Sequence, residues 1–120
     1  MSSSSKDLII IERIENYCSQ IEETVNRFGN SFDIYKEDFV YQNACAMCII
    51  QIGELAKNLS ENFKSTYNGV PWKNIKDMRN IFAHNYGNMS VLSTWETVID
   101  DIPILNKYCI NIIKENNSIS

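Results

Sequence analysis

The chain has a single histidine, His84, within the run Arg79-Asn80-Ile81-Phe82-Ala83-His84-Asn85-Tyr86. This short segment holds a permanent cation, a ring that titrates near neutrality, a carboxamide and a phenol. No Ser or Cys stands near His84 in a recognised nucleophile context, so the run does not read as a triad. Paired carboxylates of the glycosidase kind cannot be picked out among fifteen Asp and Glu. The parts present are those of phosphodiester chemistry. Cleaving RNA through attack by its own 2′-hydroxyl needs a base, an acid and a cation to hold the phosphorane oxygens.

On a helix Asn80 and His84 are four residues apart and share a face. Arg79, five residues before His84, lies about 140° round the axis, and only its long side chain can bring it to the same point. One chain supplies one imidazole, whereas the reaction needs both an acid and a base. A two-fold dimer that places this helix against its mate would bring two His84 and two Arg79 to one phosphate, making dimerisation and catalysis one event.

Each residue also has a plainer reading. A lone His84 can be a surface or helix-capping side chain, and Arg79 a partner of Asp77 or Glu54. Glu54 can orient Arg79 or simply be a solvated carboxylate, and Tyr86 can be half-buried packing. Trp72, Phe82 and Trp95 fall on apolar helical stripes and are assigned to the core rather than to base stacking. Asp100 and Asp101 are expected to cap the segment containing Pro103 rather than to bind metal. Cys45 and Cys48 form a C-x-x-C, but within an apolar stretch and with no second pair of ligands, so they read as packed thiols.

The elements that must position these groups are helical. Ile10, Ile14, Tyr17, Cys18, Ile21, Val25 and Phe28 step by three and four, predicting a helix over 7–28, with a cap at Ser4 and Asp7 and a stop at Gly29-Asn30. Residues 31–38 read as a connector or single turn. From Phe39 to Leu59 the chain is apolar on more than one face, as in the central helix of a bundle, and Gly53 marks a close helix crossing. A short turn of helix is expected around 60–67. Pro71-Trp72 opens a helix predicted to end at His84, with Trp72, Ile75, Met78 and Phe82 inward. Residues 85–90 read as a loop. A seam of Val91, Trp95, Val98, Ile102, Leu105, Cys109 and Ile112 predicts a last helical region over 91–114, kinked or split by Pro103. No useful period-two segment and no Gly-rich phosphate loop appears. The expectation is one all-α domain over 1–120, an antiparallel up-and-down bundle of four to five helices, with tails at 1–6 and 116–120.

Composition limits the functional classes. The formal charge of −4 supplies no global field for nucleic acid or an anionic membrane, so a polyanion must be met locally, by Arg79 with Lys73 and Lys76. No apolar run reaches the length of about 20 residues that a membrane span needs. The four cysteines, with no export signal in view, read as reduced thiols, and a cytoplasmic location is expected.

The run from Val70 to Tyr86, followed by Trp95 and Asp101-Ile102-Pro103-Ile104-Leu105, resembles the HepT-like toxins of the HEPN superfamily. Their hallmark, Arg, four residues, His, one residue, Tyr, is complete here as Arg79, His84 and Tyr86. Ile52-Gly53-Glu54-Leu55-Ala56-Lys57 is similar to the family's central-helix motif. The resemblance implies a dimerising helical bundle acting as a metal-independent endoribonuclease with no cofactor, with Arg79 and His84 catalytic and Asn80 and Glu54 supporting. It implies as partner a minimal nucleotidyltransferase antitoxin that transfers AMP to Tyr86. Each transferred nucleotide would add bulk and negative charge beside the catalytic pair and repel RNA. A non-catalytic helical adaptor that presents Tyr86 or a groove to a nucleotidyltransferase is the alternative.

Overall fold

The computed structural model describes residues 5–84 and 86–117, Tyr86 by its backbone alone. Four long helices form the frame: α1 (Ser5–Phe28), α3 (Phe39–Lys57), α5 (Trp72–His84) and α7 (Ile102–Asn117). Three short ones, α2 (Phe32–Lys36), α4 (Glu61–Thr66) and α6 (Val91–Glu96), lie in the connections, and no strand occurs among the described residues. α3 packs against both α1 and α5, and α7 against α1. Side-chain bonds fix the directions. Asp7, near the start of α1, meets Ser60 just beyond α3, while Glu22, near the end of α1, meets Asn106 near the start of α7. Both pairs of neighbours therefore run antiparallel, as the bundle expectation requires.

The apolar stripe of α1 is buried at Ile10, Ile14, Cys18, Ile21 and Val25, with Ile11 added beside it. α3 is buried on more than one side, through Tyr41, Cys45, Cys48, Ile49, Ile52 and Ala56. Fully burying an isoleucine such as Ile49 or Ile52 contributes about 1.5–3 kcal/mol, so this helix anchors the core. Trp72, Phe82 and Trp95 are all buried. Trp95 stands beside Tyr35 and Tyr41, with ring centroids 5.0 and 6.1 Å away, and Tyr35 also hydrogen-bonds Thr94 at 2.8 Å. α1 ends where Gly29 takes a φ of 122°, a conformation that costs glycine little.

Three expectations are corrected. The cap at Ser4 falls outside the described residues, and Asp7 serves another purpose: it is buried, and its carboxylate accepts from the backbone N–H of Ser60 at 2.9 Å and from its Oγ at 2.8 Å. Ser60 Oγ in turn accepts from the Phe63 N–H, so one carboxylate fastens α1 to the cap of α4. The region 91–114 is divided, but not at Pro103 itself. Residues Thr97–Asp101 form a π-helical turn, and Pro103 is the second residue of α7. The wider turn relieves the clash of the proline ring with the carbonyl four residues earlier. Asp100 and Asp101 lie inside this continuous run rather than capping it. The seam stays buried from Trp95 to Ile112, and only Val91 at its start is exposed. No helix among the described residues is long and apolar enough to cross a membrane.

Candidate active site at the crossing of two helices

Proline 71 followed by Trp72 starts α5, and the backbone N–H of Ile75 bonds the Pro71 carbonyl at 3.0 Å, closing the first turn. Trp72, Ile75 and Phe82 turn inward, and the indole N–H of Trp72 donates to the Tyr67 carbonyl at 2.6 Å. With that face fixed, Lys76, Asn80 and His84 are exposed and Arg79 is half-buried against α3. The absence of a side chain at Gly53 makes this approach possible. A Cβ there would lie 2.6 Å from the Arg79 Cβ and 2.9 Å from its backbone nitrogen. The close crossing expected at Gly53 is thus a crossing against Arg79.

The next residue on α3 engages the guanidinium. Glu54 Oε1 lies 2.7 Å from Arg79 Nε, with the two side chains 41% and 35% exposed. The Nε–H does not aim along this line, so the buried Nε has a charge partner without a directed hydrogen bond. Of the two partners considered for Arg79, Asp77 instead pairs with Lys73, at 3.0 Å. The outer end of Arg79 faces the other way: Nη1 donates to Asn80 Oδ1 at 3.3 Å and stands 3.3 Å from His84 Nε2. A guanidinium only donates, so a hydrogen bond to Nε2 requires the neutral ring with its proton on Nδ1. Despite the 140° offset, then, Arg79, Asn80 and His84 converge, and Glu54 holds the guanidinium from behind.

Beside them lies an open pocket of about 450 Å³, lined by Gly53, Glu54, Lys57, Lys76, Arg79 and Asn80. Lys76 lines it as expected; Lys73 does not. Lys57 was not foreseen as part of the site, although helical spacing could have found it, since it lies four residues after Gly53 on the same face. Tyr86 begins a short 3₁₀ turn, Tyr86–Asn88, in the segment expected as a loop, and its side chain lies outside the description.

The thiols stand apart from this chemistry. All four cysteines are buried and free. Burial pushes Cys45 and Cys109 up to about 12 and raises Cys18 and Cys48, which keeps the thiols in their unreactive form. Among the described residues no group of three or more His, Cys, Asp or Glu is gathered as a metal site would require.

The family model for Ribonuclease HepT-like proteins matches residues 14–112, a span that contains the whole of this convergence. The chain belongs to the HepT-like ribonuclease family. It is 33% identical over 105 residues to "Putative RNase TTE0752" of Caldanaerobacter subterraneus subsp. tengcongensis, covering 88% of this chain and 92% of that protein. It is 32% identical over 109 residues to "Probable ribonuclease HepT" of Thermococcus cleftensis, with the same two shares, 88% and 92%. A third HepT-like relative, "Putative RNase MJ0127" of Methanocaldococcus jannaschii, is 34% identical over 85 residues, or 71% of this chain and 70% of that protein. No solved structure matches this member of the family.

Proposed function

We propose that this chain is the endoribonuclease toxin of a toxin–antitoxin pair, cutting RNA without a metal at a composite site formed by two copies. The observation that carries the reading is the meeting of Arg79 Nη1 and His84 Nε2, 3.3 Å apart on the open surface of α5. In the reaction one His84 removes the proton from the RNA 2′-hydroxyl, and the 2′-oxygen attacks the adjoining phosphorus. The bond to the 5′-oxygen breaks, and that oxygen takes a proton from the partner's His84. The products are a 2′,3′-cyclic phosphate and a 5′-hydroxyl. Arg79 bears the charge that builds on the phosphorane oxygens, and Glu54 holds it in place.

The surface beside His84 favours a second copy. Ile81, one turn before His84, is 40% exposed and borders an apolar groove of about 590 Å³ between α5 and α7, with Ile104 on its other rim 64% exposed. A mate seated there would bury these side chains and lie next to both imidazoles. The family motif adds regulation: AMP transferred to Tyr86 by a minimal nucleotidyltransferase would place a negative charge beside the cation that RNA must reach.

The test is RNA cleavage by the purified protein and by its His84→Ala and Arg79→Ala variants, with thermal melting as a control for folding. Loss of cleavage in each folded variant is expected. Retained cleavage by either, free of contaminating nuclease, overturns the reading. A wild-type protein that accepts AMP but cuts no RNA is instead an adaptor for the nucleotidyltransferase.

A further inference from the structure

The pocket beside Arg79 has a charge opposite to that of the chain. Its walls carry three cations, Lys57, Lys76 and Arg79, against one carboxylate, Glu54, in a protein of formal charge −4. That carboxylate is committed to Arg79. Lys57 and Lys76 are exposed, and among the described residues neither has an ion pair or hydrogen bond. Other cations are matched locally: Arg27 by Glu23, Lys36 by Asp33, Lys64 by Glu61 and Lys73 by Asp77. The two lysines converge from different helices, Lys57 from the last turn of α3 and Lys76 from one turn before Arg79 on α5.

We propose that Lys57 and Lys76 form a subsite for the phosphate next to the one that is cut, so that the RNA backbone runs from His84 past Arg79 into this pocket. The proposal rests on the ribonuclease reading and deepens it. Arg79 belongs to both places: its Nη1 faces His84, and its side chain lines the pocket. Lys76 is displaced from it by three residues, about 4.5 Å along the helix axis. The opening, about 450 Å³, takes a phosphate with its sugar. No base-reading group lines the pocket except the Asn80 carboxamide, so the subsite holds the backbone and is blind to most of the sequence.

The experiment uses the full chain and a Lys57→Ala/Lys76→Ala double variant, with Lys107→Ala/Lys114→Ala as the control, since these α7 lysines are exposed and line neither site. Two probes are measured: a short single-stranded RNA for cleavage, and its uncleavable 2′-O-methyl counterpart for binding against salt. The expected result is a several-fold rise in KM with kcat nearly kept, and a slope of log affinity against log salt lower by about 1.4, since each lost phosphate contact on a single strand removes about 0.7. Replacing the flanking phosphate by a neutral methylphosphonate should raise the wild-type KM and abolish the difference between the proteins. A double variant whose KM and salt slope equal those of the wild type overturns the subsite and leaves the ribonuclease reading standing. A wild-type protein that binds the 2′-O-methyl strand with the expected slope but cuts nothing overturns the ribonuclease reading and leaves the subsite standing. Neither binding nor cutting overturns both.

Discussion

Arg79 packs over the bare backbone of Gly53, so close that a methyl group on Gly53 would sit 2.6 Å from the Arg79 Cβ. The nearest atoms are Cβ and backbone rather than the tip of a flexible chain, so neither helix can accommodate the methyl without shifting. Gly53→Ala is expected to lower stability by about 1–3 kcal/mol through overpacking. It should also reduce cleavage beyond what that loss explains, because the shift falls on the guanidinium. Denaturant titration and kinetics on the residual folded protein check both parts.

Glu54 touches Arg79 but does not line the face shared with His84, so its part is to position the guanidinium. Glu54→Gln keeps the length and removes the charge. The expected outcome is a fall in kcat of about 10- to 100-fold, the scale of a misplacement near 1 Å, with an unchanged melting temperature and partial rescue by Glu54→Asp. An equal loss in both substitutions, or a change confined to KM, would argue against positioning.

Asp7 should matter for stability and not for chemistry. Its buried carboxylate accepts two bonds from Ser60, and Asp7→Ala leaves the Ser60 backbone N–H with no acceptor there. A loss of about 1–3 kcal/mol is expected. Hydrogen exchange should show it first in α4 and in the opening turns of α1.

The cysteines give a pH dependence with a definite sign. Cys45 and Cys109 titrate near 9.0 when unfolded and are pushed up to about 12 in the fold by burial. The folded state therefore holds these protons longer than the unfolded one. Their contribution is complete below pH 9.0 and fades as pH rises from there towards about 12. Equilibrium unfolding should show stability falling across that interval. At pH 8 the native thiols should resist iodoacetamide and react only on unfolding.

If two copies share the apolar groove, Ile81→Asp should yield monomers in sedimentation and lose cleavage while remaining helical. A dimeric, active Ile81→Asp protein would place the interface elsewhere.

Much of this was legible in the sequence because spacing of three and four is a direct projection of a helix face. It gave α5 its ends at Trp72 and His84, and it marked Gly53 as a crossing. What it could not supply was the partner across each contact. Nothing in the spacing ties Asp7 to Ser60, because that bond is made between elements 53 residues apart. Lys57 was passed over for the same reason. Its place in the pocket depends on α3 facing α5, and the choice between Asp77 and Glu54 for Arg79 turned on that packing as well. The π turn escaped because an extra residue in a turn leaves the apolar seam intact: Val98 and Ile102 remain four apart and both are buried.

Proline 103 makes that wide turn permanent. It offers no proton to the carbonyl of Ile99, so the ordinary four-residue ladder cannot be knitted back across Thr97–Asp101. Were the ladder restored, everything before it would swivel by about 100°, and Trp95 would be dragged out of its nest of tyrosines. The ring of one imino acid thus acts as a ratchet pawl, locking the rotational phase of α6 against the bundle.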